Sequence, residues 1–149
     1  MVTEASDVVL AYWNEHRQQL RQSENQRATM TNFVLVITAA LSGLIVQQKF
    51  AAATVPLGLL ITLIGLFGAI ISAKYHERAT YHLGQARALT ATLKDLGVLT
   101  DDTNIGGFRQ RHYDAYPRLH RLRLHTLWTG LNLAVAAYGI ALAAIAAFS

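Results

Sequence analysis

A cluster of arginines interleaved with tyrosines is the part of this 149-residue sequence best suited to chemistry. Residues 109–123 contain five arginines, and only one acid, Asp114, opposes them. Arginine forks grip phosphate oxygens and tyrosine rings stack on bases, so the segment predicts a site for an anionic nucleotide or oligonucleotide. Basic residues of a neighbouring helix can add to it. The predicted ligand-binding residues are Arg109, Arg111, Tyr113, Tyr116, Arg118, Arg121, Arg123, Lys74, Arg78 and Arg87.

The same arginines have a simpler interpretation. Positive charge accumulates on the cytoplasmic side of membrane proteins and attracts anionic lipid headgroups. The nucleotide site, in contrast, would be aided by exposed amides at the start of a helix that is predicted to begin near Pro117 and to run through the arginines into Trp128. The sequence leaves open whether this cluster binds a nucleotide or lies against headgroups.

No other recognisable reaction centre follows from the residue types. Cysteine is absent, which excludes disulfides and thiolate chemistry. The six histidines include no pair at i,i+4 and have no acidic cluster beside them, so no metal site is expected. Gly106-Gly107 lacks the pattern of a phosphate loop, and no nucleophile with a base and an orienting acid is recognisable. We therefore expect neither an enzyme nor a cofactor.

Three apolar blocks must position the basic residues, namely Thr31–Gln47, Ala51–Ala73 and Thr126–Phe148. The second and third are uncharged and 23 residues long, and about 20 residues suffice to cross a bilayer. The first lies near the lower limit of about 17 residues and can gain length from snorkelling flanks. A turn at Lys49, with Pro56 in the first turn of the next helix, predicts an antiparallel hairpin. This arrangement disfavours core helices of a soluble protein.

The distribution of charge predicts the topology. Residues 74–125 hold nine of the thirteen Lys and Arg residues, whereas the hairpin turn holds only Lys49. The positive-inside rule therefore places the N terminus and residues 74–125 in the cytoplasm, and the C terminus on the far side of a multi-pass membrane protein. The first thirty residues are too polar for a signal peptide.

The fold class expected is an all-α membrane protein, in which three transmembrane helices carry long helical extensions that form a cytoplasmic bundle. Ser6 or Asp7 is expected to cap the N-terminal helix, and Gly97 to end the helix that continues the second span. Small or apolar residues at steps of four and three in that helix predict a heptad seam, at Tyr75, Ala79, His82, Ala86, Leu89, Leu93 and Leu96. The expected regions are a cytoplasmic helix (1–30), a transmembrane hairpin (31–73), a cytoplasmic helical region (74–125) with a loop near 98–108, and a third transmembrane helix (126–149).

Polar residues inside the apolar blocks are candidates to line a pore. They are Thr31, Thr38, Ser42 and Asn132. A buried Asn must find a hydrogen-bond partner or face water, so an interhelical hydrogen bond is the alternative for Asn132. Small residues form two rows that permit close helix packing, at Gly58, Thr62, Gly65, Ala69 and Ser72, and at Gly130, Ala134, Ala137, Ala141 and Ala144. Association would bury more apolar surface, so we expect a homo-oligomer, with a tetramer favoured.

The order of these elements resembles the SLATT-type membrane effectors of bacterial nucleotide-signalled antiphage systems. The resemblance covers roughly residues 5–97, with the N-terminal helix, the hairpin and the helix that leaves the membrane at residues 74–78. The third apolar block departs from the two-span pattern and is similar to the small channel effectors of Hailong-type defence.

The resemblance implies an oligomeric channel in the bacterial inner membrane. A nucleotide or oligonucleotide made by a partner nucleotidyltransferase would open or close it, and depolarisation would halt the infected cell. The alternative is a non-conducting adaptor or scaffold that binds a partner through its basic cytoplasmic face.

Overall fold

The computed structural model describes residues 2–99 and 105–149, and within these ranges the chain is helical without strands. The expected all-α fold is confirmed. Four α-helices are described: α1 (Val2–Gln47), α2 (Val55–Asp95), α3 (Ile105–Ala115) and α4 (Leu124–Phe148). Helices α1, α2 and α4 are long and apolar enough to cross a membrane, as the three apolar blocks predicted.

Helix α1 runs unbroken for 46 residues through the polar N-terminal region and the first apolar block. It has already begun at Val2, so the prediction of a cap at Ser6 or Asp7 is wrong. Its buried side chains recur at steps of three, four and seven, which is the spacing of a seam that stays on one face. These residues are Ser23, Arg27, Thr31, Val34, Thr38 and Ile45.

The hairpin turn between α1 and α2 is closed by two residues with left-handed backbone conformation, Lys49 (φ 51°) and Phe50 (φ 58°). The Phe50 amide donates to the Ile45 carbonyl at 3.1 Å, which caps the end of α1. A 3₁₀ turn (Ala52–Thr54) leads into α2, and Pro56 lies in the first turn of that helix as predicted. The chain therefore reverses within a few residues.

Helix α2 continues from the second apolar block into polar sequence without a break. All residues of the predicted heptad seam are buried or half-buried, so the seam is confirmed. The helix ends in a Schellman motif at Gly97 (φ +72°), where the Gly97 amide donates to Lys94 and the Val98 amide to Leu93. Glycine adopts this left-handed conformation without the steric cost that a Cβ would bring.

Helix α3 and the approach to α4 differ from the sequence prediction. The loop expected near 98–108 ends earlier, because α3 begins at Ile105 and includes Gly106 and Gly107. The central residues of the expected loop, 100–104, lie outside the described part of the chain. The helix expected from Pro117 into Trp128 is also wrong. A 3₁₀ turn (Leu119–Arg121) and an extended residue, Leu122, come first, and α4 begins at Leu124.

The helices contribute to two compact units. Unit 1 comprises residues 1–24 and 77–123, and unit 2 comprises residues 25–76 and 124–149. The core of unit 2 is formed by the buried side chains Val34, Ile45, Ile61, Val135 and Leu142. In unit 1 the α2 seam contributes the buried residues Ala79, Ala86 and Leu93.

In unit 2, α4 packs against α2 through a different row of residues from the one predicted. The predicted row, Gly130, Ala134, Ala137, Ala141 and Ala144, is exposed. The buried row is Asn132, Val135, Ala136, Gly139, Leu142, Ala143 and Ala146. The predicted glycine row of α2 is confirmed as a packing face, because a Cβ at Gly58 would lie 2.7 Å from the Ala143 amide nitrogen. The backbones of α2 and α4 approach closely at the small residues of α2. The row of α4 that packs there is therefore the one with small residues at the same contacts.

Candidate functional site

A polar layer lies inside unit 2, centred on Asn132. Its side chain is 1% exposed and donates from Nδ2 to the Trp128 carbonyl at 2.9 Å. The same Nδ2 lies 3.4 Å from the Thr31 hydroxyl of α1. The interhelical hydrogen bond, which was the alternative to pore lining, is thus the arrangement that the structure contains.

The other predicted pore-lining residues also pack within a single chain. Thr31 is 2% exposed and Thr38 is 8% exposed. Ser42 is half-buried and donates to the Thr38 carbonyl at 2.7 Å.

Arg27 is a buried cation that the sequence analysis did not select as a site residue. Its side chain is 6% exposed, and its guanidinium lies 5.8 Å from the centre of the Trp128 ring. The Nε atom of Arg27 and the Nε1 atom of Trp128 are both buried without a hydrogen-bond partner. Positive charge before the first span predicts topology and no site. The spacing of Arg27, four residues after Ser23 and four before Thr31, indicates the buried face of α1 but does not by itself indicate a site.

Helix α2 adds a third polar group at this level of unit 2. Gly68 of α2 packs against the Asn132 side chain of α4. Two turns further along α2, His76 stacks on His125 of α4, with ring centres 3.7 Å apart and planes at 8°. Ser72 is midway between these contacts, so the antiparallel register places it level with the indole ring of α4. Its hydroxyl is buried and has no hydrogen-bond partner.

The predicted arginine cluster forms an exposed segment from α3 to the start of α4. Arg111 lies 4.4 Å from the centre of the Phe108 ring, and the rings of His112 and Tyr116 are 5.1 Å apart. A surface pocket of about 360 Å³ follows α3, lined by Ala115, Tyr116, Pro117, Arg118 and Leu119. All five arginines, Arg109, Arg111, Arg118, Arg121 and Arg123, are exposed and available to an anion.

The three basic residues predicted to join the cluster from α2 are also exposed, at Lys74, Arg78 and Arg87. The described hydrogen bond of Arg78 goes to the Gln19 side chain of α1, at 3.1 Å. Lys74 belongs to unit 2, whereas the arginine cluster belongs to unit 1. The exposed segment at residues 109–123 is therefore one candidate anion surface, whereas Arg78 has a hydrogen-bond partner in Gln19.

Unit 1 also contains a pair of histidines that the sequence analysis treated separately. The Nδ1 atoms of His16 in α1 and His82 in α2 lie 3.0 Å apart. Burial lowers the pKa of His82 below its usual value, and the nearby His16 and Arg78 lower it further, while Glu15 opposes them. One ring therefore donates to the other, and the neutral form is favoured.

Comparison with known proteins adds no assignment to this geometry. No protein-family model, curated protein or solved structure matches the chain. The function is therefore argued from the residues and their contacts.

Proposed function

We propose that this chain is the subunit of a homo-oligomeric membrane channel, gated by an anionic nucleotide or oligonucleotide. Residues 109–123 and their tyrosines bind the ligand on the cytoplasmic side, and the apolar halves of α1, α2 and α4 cross the bacterial inner membrane. The effector would depolarise the membrane in antiphage defence, as its resemblance to SLATT-type effectors implies.

The observation that carries the proposal is the continuity of α1 and α2. Both helices run without a break from polar sequence into apolar sequence, and each has a row of buried or half-buried residues that recurs at steps of three and four in both its polar and its apolar part. A hydrogen-bonded helix transmits a displacement along its length better than a loop does. A ligand that binds one arrangement better by a few kcal/mol can then shift the equilibrium between closed and open states.

One feature supports association of several copies. The exposed row of α4, at Gly130, Ala134, Ala137, Ala141 and Ala144, is free of side-chain bulk and leaves room for another helix. The polar residues Thr31, Thr38 and Asn132 are buried within one chain. We therefore assign this conformation to a closed state, in which apolar surfaces face the shared axis and dewetting blocks ions.

The second candidate is a non-conducting adaptor that binds a partner through the arginine segment. The burial of all three polar residues between helices of the same chain favours it, because a stable bundle of this kind needs no lumen. Tetramer formation and depolarisation are the properties that separate the two candidates.

Membrane potential in living cells tests the proposal directly. The protein is expressed alone and together with a nucleotidyltransferase, while a potential-sensitive dye is followed. Depolarisation that depends on the synthase, and that is lost in an Arg118→Ala/Arg121→Ala variant, is expected. An Arg21→Ala/Lys94→Ala variant removes the same charge elsewhere and is the matched control. An unchanged potential in all strains, with the protein folded in the membrane, rejects the channel and leaves the adaptor.

A further inference from the structure

Arg27 has no counter-charge in the described part of the chain. It is 6% exposed, and its described contact is with the face of the Trp128 ring. Glu24, one turn earlier in α1, is exposed and makes no ion pair with it. Burial of a charged group without a partner is costly, so a chain that keeps one gains by binding an anion there.

Three buried groups at the level of Arg27, including its own Nε atom, can donate hydrogen bonds and have no partner. Arg27 Nε, Trp128 Nε1 and Ser72 Oγ are all buried without a partner. They come from α1, α4 and α2 respectively, at one level of unit 2. The neighbouring unpartnered acceptor, Asn132 Oδ1, lies against Gly68 and so faces α2.

We propose that Arg27, Trp128 and Ser72 form a binding site for a phosphate-type oxyanion between the three helices of unit 2. A tetrahedral oxyanion accepts several hydrogen bonds at once, so it would satisfy the guanidinium, the indole and the hydroxyl together and neutralise the charge. Trp128 is half-buried although its Nε1 atom is buried, so its ring has to move aside before an anion reaches the three donors.

The phosphate can come from a lipid headgroup or from a soluble phosphorylated compound, because both present the same oxygens. Arg27 precedes the first apolar block by four residues, which is the level where headgroup phosphates lie if α1 crosses a bilayer. The site contains none of residues 109–123. Failure of this proposal would therefore leave the proposed channel untouched, and failure of the channel would leave this site untouched.

The test uses the full chain with the substitution Trp13→Phe. Since the chain has two tryptophans, Trp128 is then the sole source of tryptophan fluorescence. In nonionic maltoside micelles its fluorescence and melting temperature are followed against inorganic phosphate in one arm and phosphatidic acid in the other. Sodium chloride of equal ionic strength is the salt control. We expect a saturable response in at least one arm, which also identifies the source of the phosphate.

Arg27→Gln should weaken the apparent affinity by about tenfold or more, since a charge-assisted hydrogen bond is lost. Arg17→Gln is the matched control, because Arg17 lies in the same helix but is only half-buried. Without the anion, Arg27→Gln should melt higher than the parent protein, and with saturating anion it should melt lower. This reversal is not expected of a residue that only packs.

Two further variants keep the result decisive if Arg27→Gln does not fold. Arg27→Lys keeps the charge without the planar fork, and Trp128→Phe keeps the ring without the donor, with melting temperature as the readout. Both should bind more weakly than the parent. No response of the parent protein in either arm, or equal responses of Arg27→Gln and Arg17→Gln, would overturn the proposal.

Discussion

His16 of α1 and His82 of α2 face each other in unit 1, with their Nδ1 atoms 3.0 Å apart. Tyr81 packs edge-on against both rings, with ring centres 6.5 Å from His16 and 5.2 Å from His82. At this distance one imidazole must donate and the other must accept. Protonation of the accepting ring would leave two Nδ1–H donors pointing at each other, which links the packing of the two helices to pH.

We predict that acid destabilises the protein through His82. Because burial, His16 and Arg78 lower its folded pKa, the unfolded chain binds more protons below the usual value of 6.5. Stability is therefore constant above that pH and falls as the pH drops below it. The measurement is the melting temperature between pH 5 and pH 8. His82→Gln should flatten the slope, and His112→Gln on exposed α3 is the control. Equal slopes in the parent and His82→Gln would exclude this mechanism.

The glycines of unit 2 should differ sharply in their tolerance of a methyl group. A Cβ at Gly65 would lie 2.5 Å from the Ala136 amide nitrogen, and one at Gly139 would lie 2.5 Å from the Thr62 amide nitrogen. Backbone atoms cannot move aside cheaply, so each change to Ala should cost about 1–3 kcal/mol of stability. A Cβ at Gly130 meets nothing within 4 Å, so Gly130→Ala should be neutral or stabilise by up to about 1 kcal/mol.

Unfolding in mixed micelles measures these differences. Gly130→Ala controls for the intrinsic helix propensity of alanine, which acts at all three positions. A cost at Gly130 as large as at Gly65 would mean that the exposed row of α4 packs against another copy in solution. Equal tolerance at all three positions would contradict the packing of α2 on α4.

Much of the helical framework could be predicted from the sequence. The seam of α2 follows from the spacing of its small and apolar residues, because a heptad repeat is typical of a packed helix. The end of α2 follows from Gly97, because a glycine after a helix favours a left-handed cap. The continuity of α1 could be predicted because no helix breaker occurs between Leu20 and Thr31.

The segment before α4 could not be predicted in the same way. Gly106 and Gly107 lie in the first turn of α3, where amides lack intrahelical partners and intrinsic propensity counts least. Pro117 is compatible with a helix start, but Arg118 and Arg121 would be neighbours on such a helix and repel each other. The chain instead forms a 3₁₀ turn and an extended residue before α4.

The choice between two rows of small residues on α4 also depended on the partner helix. Composition alone did not distinguish the exposed row from the buried one, because both consist mainly of alanine and glycine. Asn132 is the residue that indicates which row of α4 is buried, since its side chain needs a hydrogen-bond partner inside the bundle. For the same reason, the buried Arg27 required the contacts of α4 before it could be identified as a site residue.

Thr31 and Asn132 should be weakly coupled. The distance of 3.4 Å between Asn132 Nδ2 and the Thr31 hydroxyl is long, and the same nitrogen keeps a 2.9 Å bond to the Trp128 carbonyl. A double-mutant cycle of Thr31→Val and Asn132→Ala should give about 0.6 kcal/mol, which is typical of interhelical hydrogen bonds in membranes. Ser42→Ala combined with Asn132→Ala should be additive and serves as the control. A coupling energy of zero in the first cycle would mean that this hydrogen bond does not stabilise the packing of α1 on α4.

The proposed topology predicts opposite accessibility for the hairpin turn and for α3. The chain has no cysteine, so a single introduced thiol has no background. Gln48 in the turn and Asp114 on α3 are both exposed, which makes Gln48→Cys and Asp114→Cys a matched pair. A membrane-impermeant maleimide applied to intact cells should label Gln48→Cys at once and Asp114→Cys only after permeabilisation.

The physical reason for this expected labelling is the distribution of positive charge. Nine of the thirteen Lys and Arg residues lie in 74–125 and resist translocation, whereas Lys49 is the one basic residue of the turn. The reverse labelling would place the arginine segment outside the cell, where a nucleotide made in the cytoplasm does not reach it, and would exclude the proposed gating.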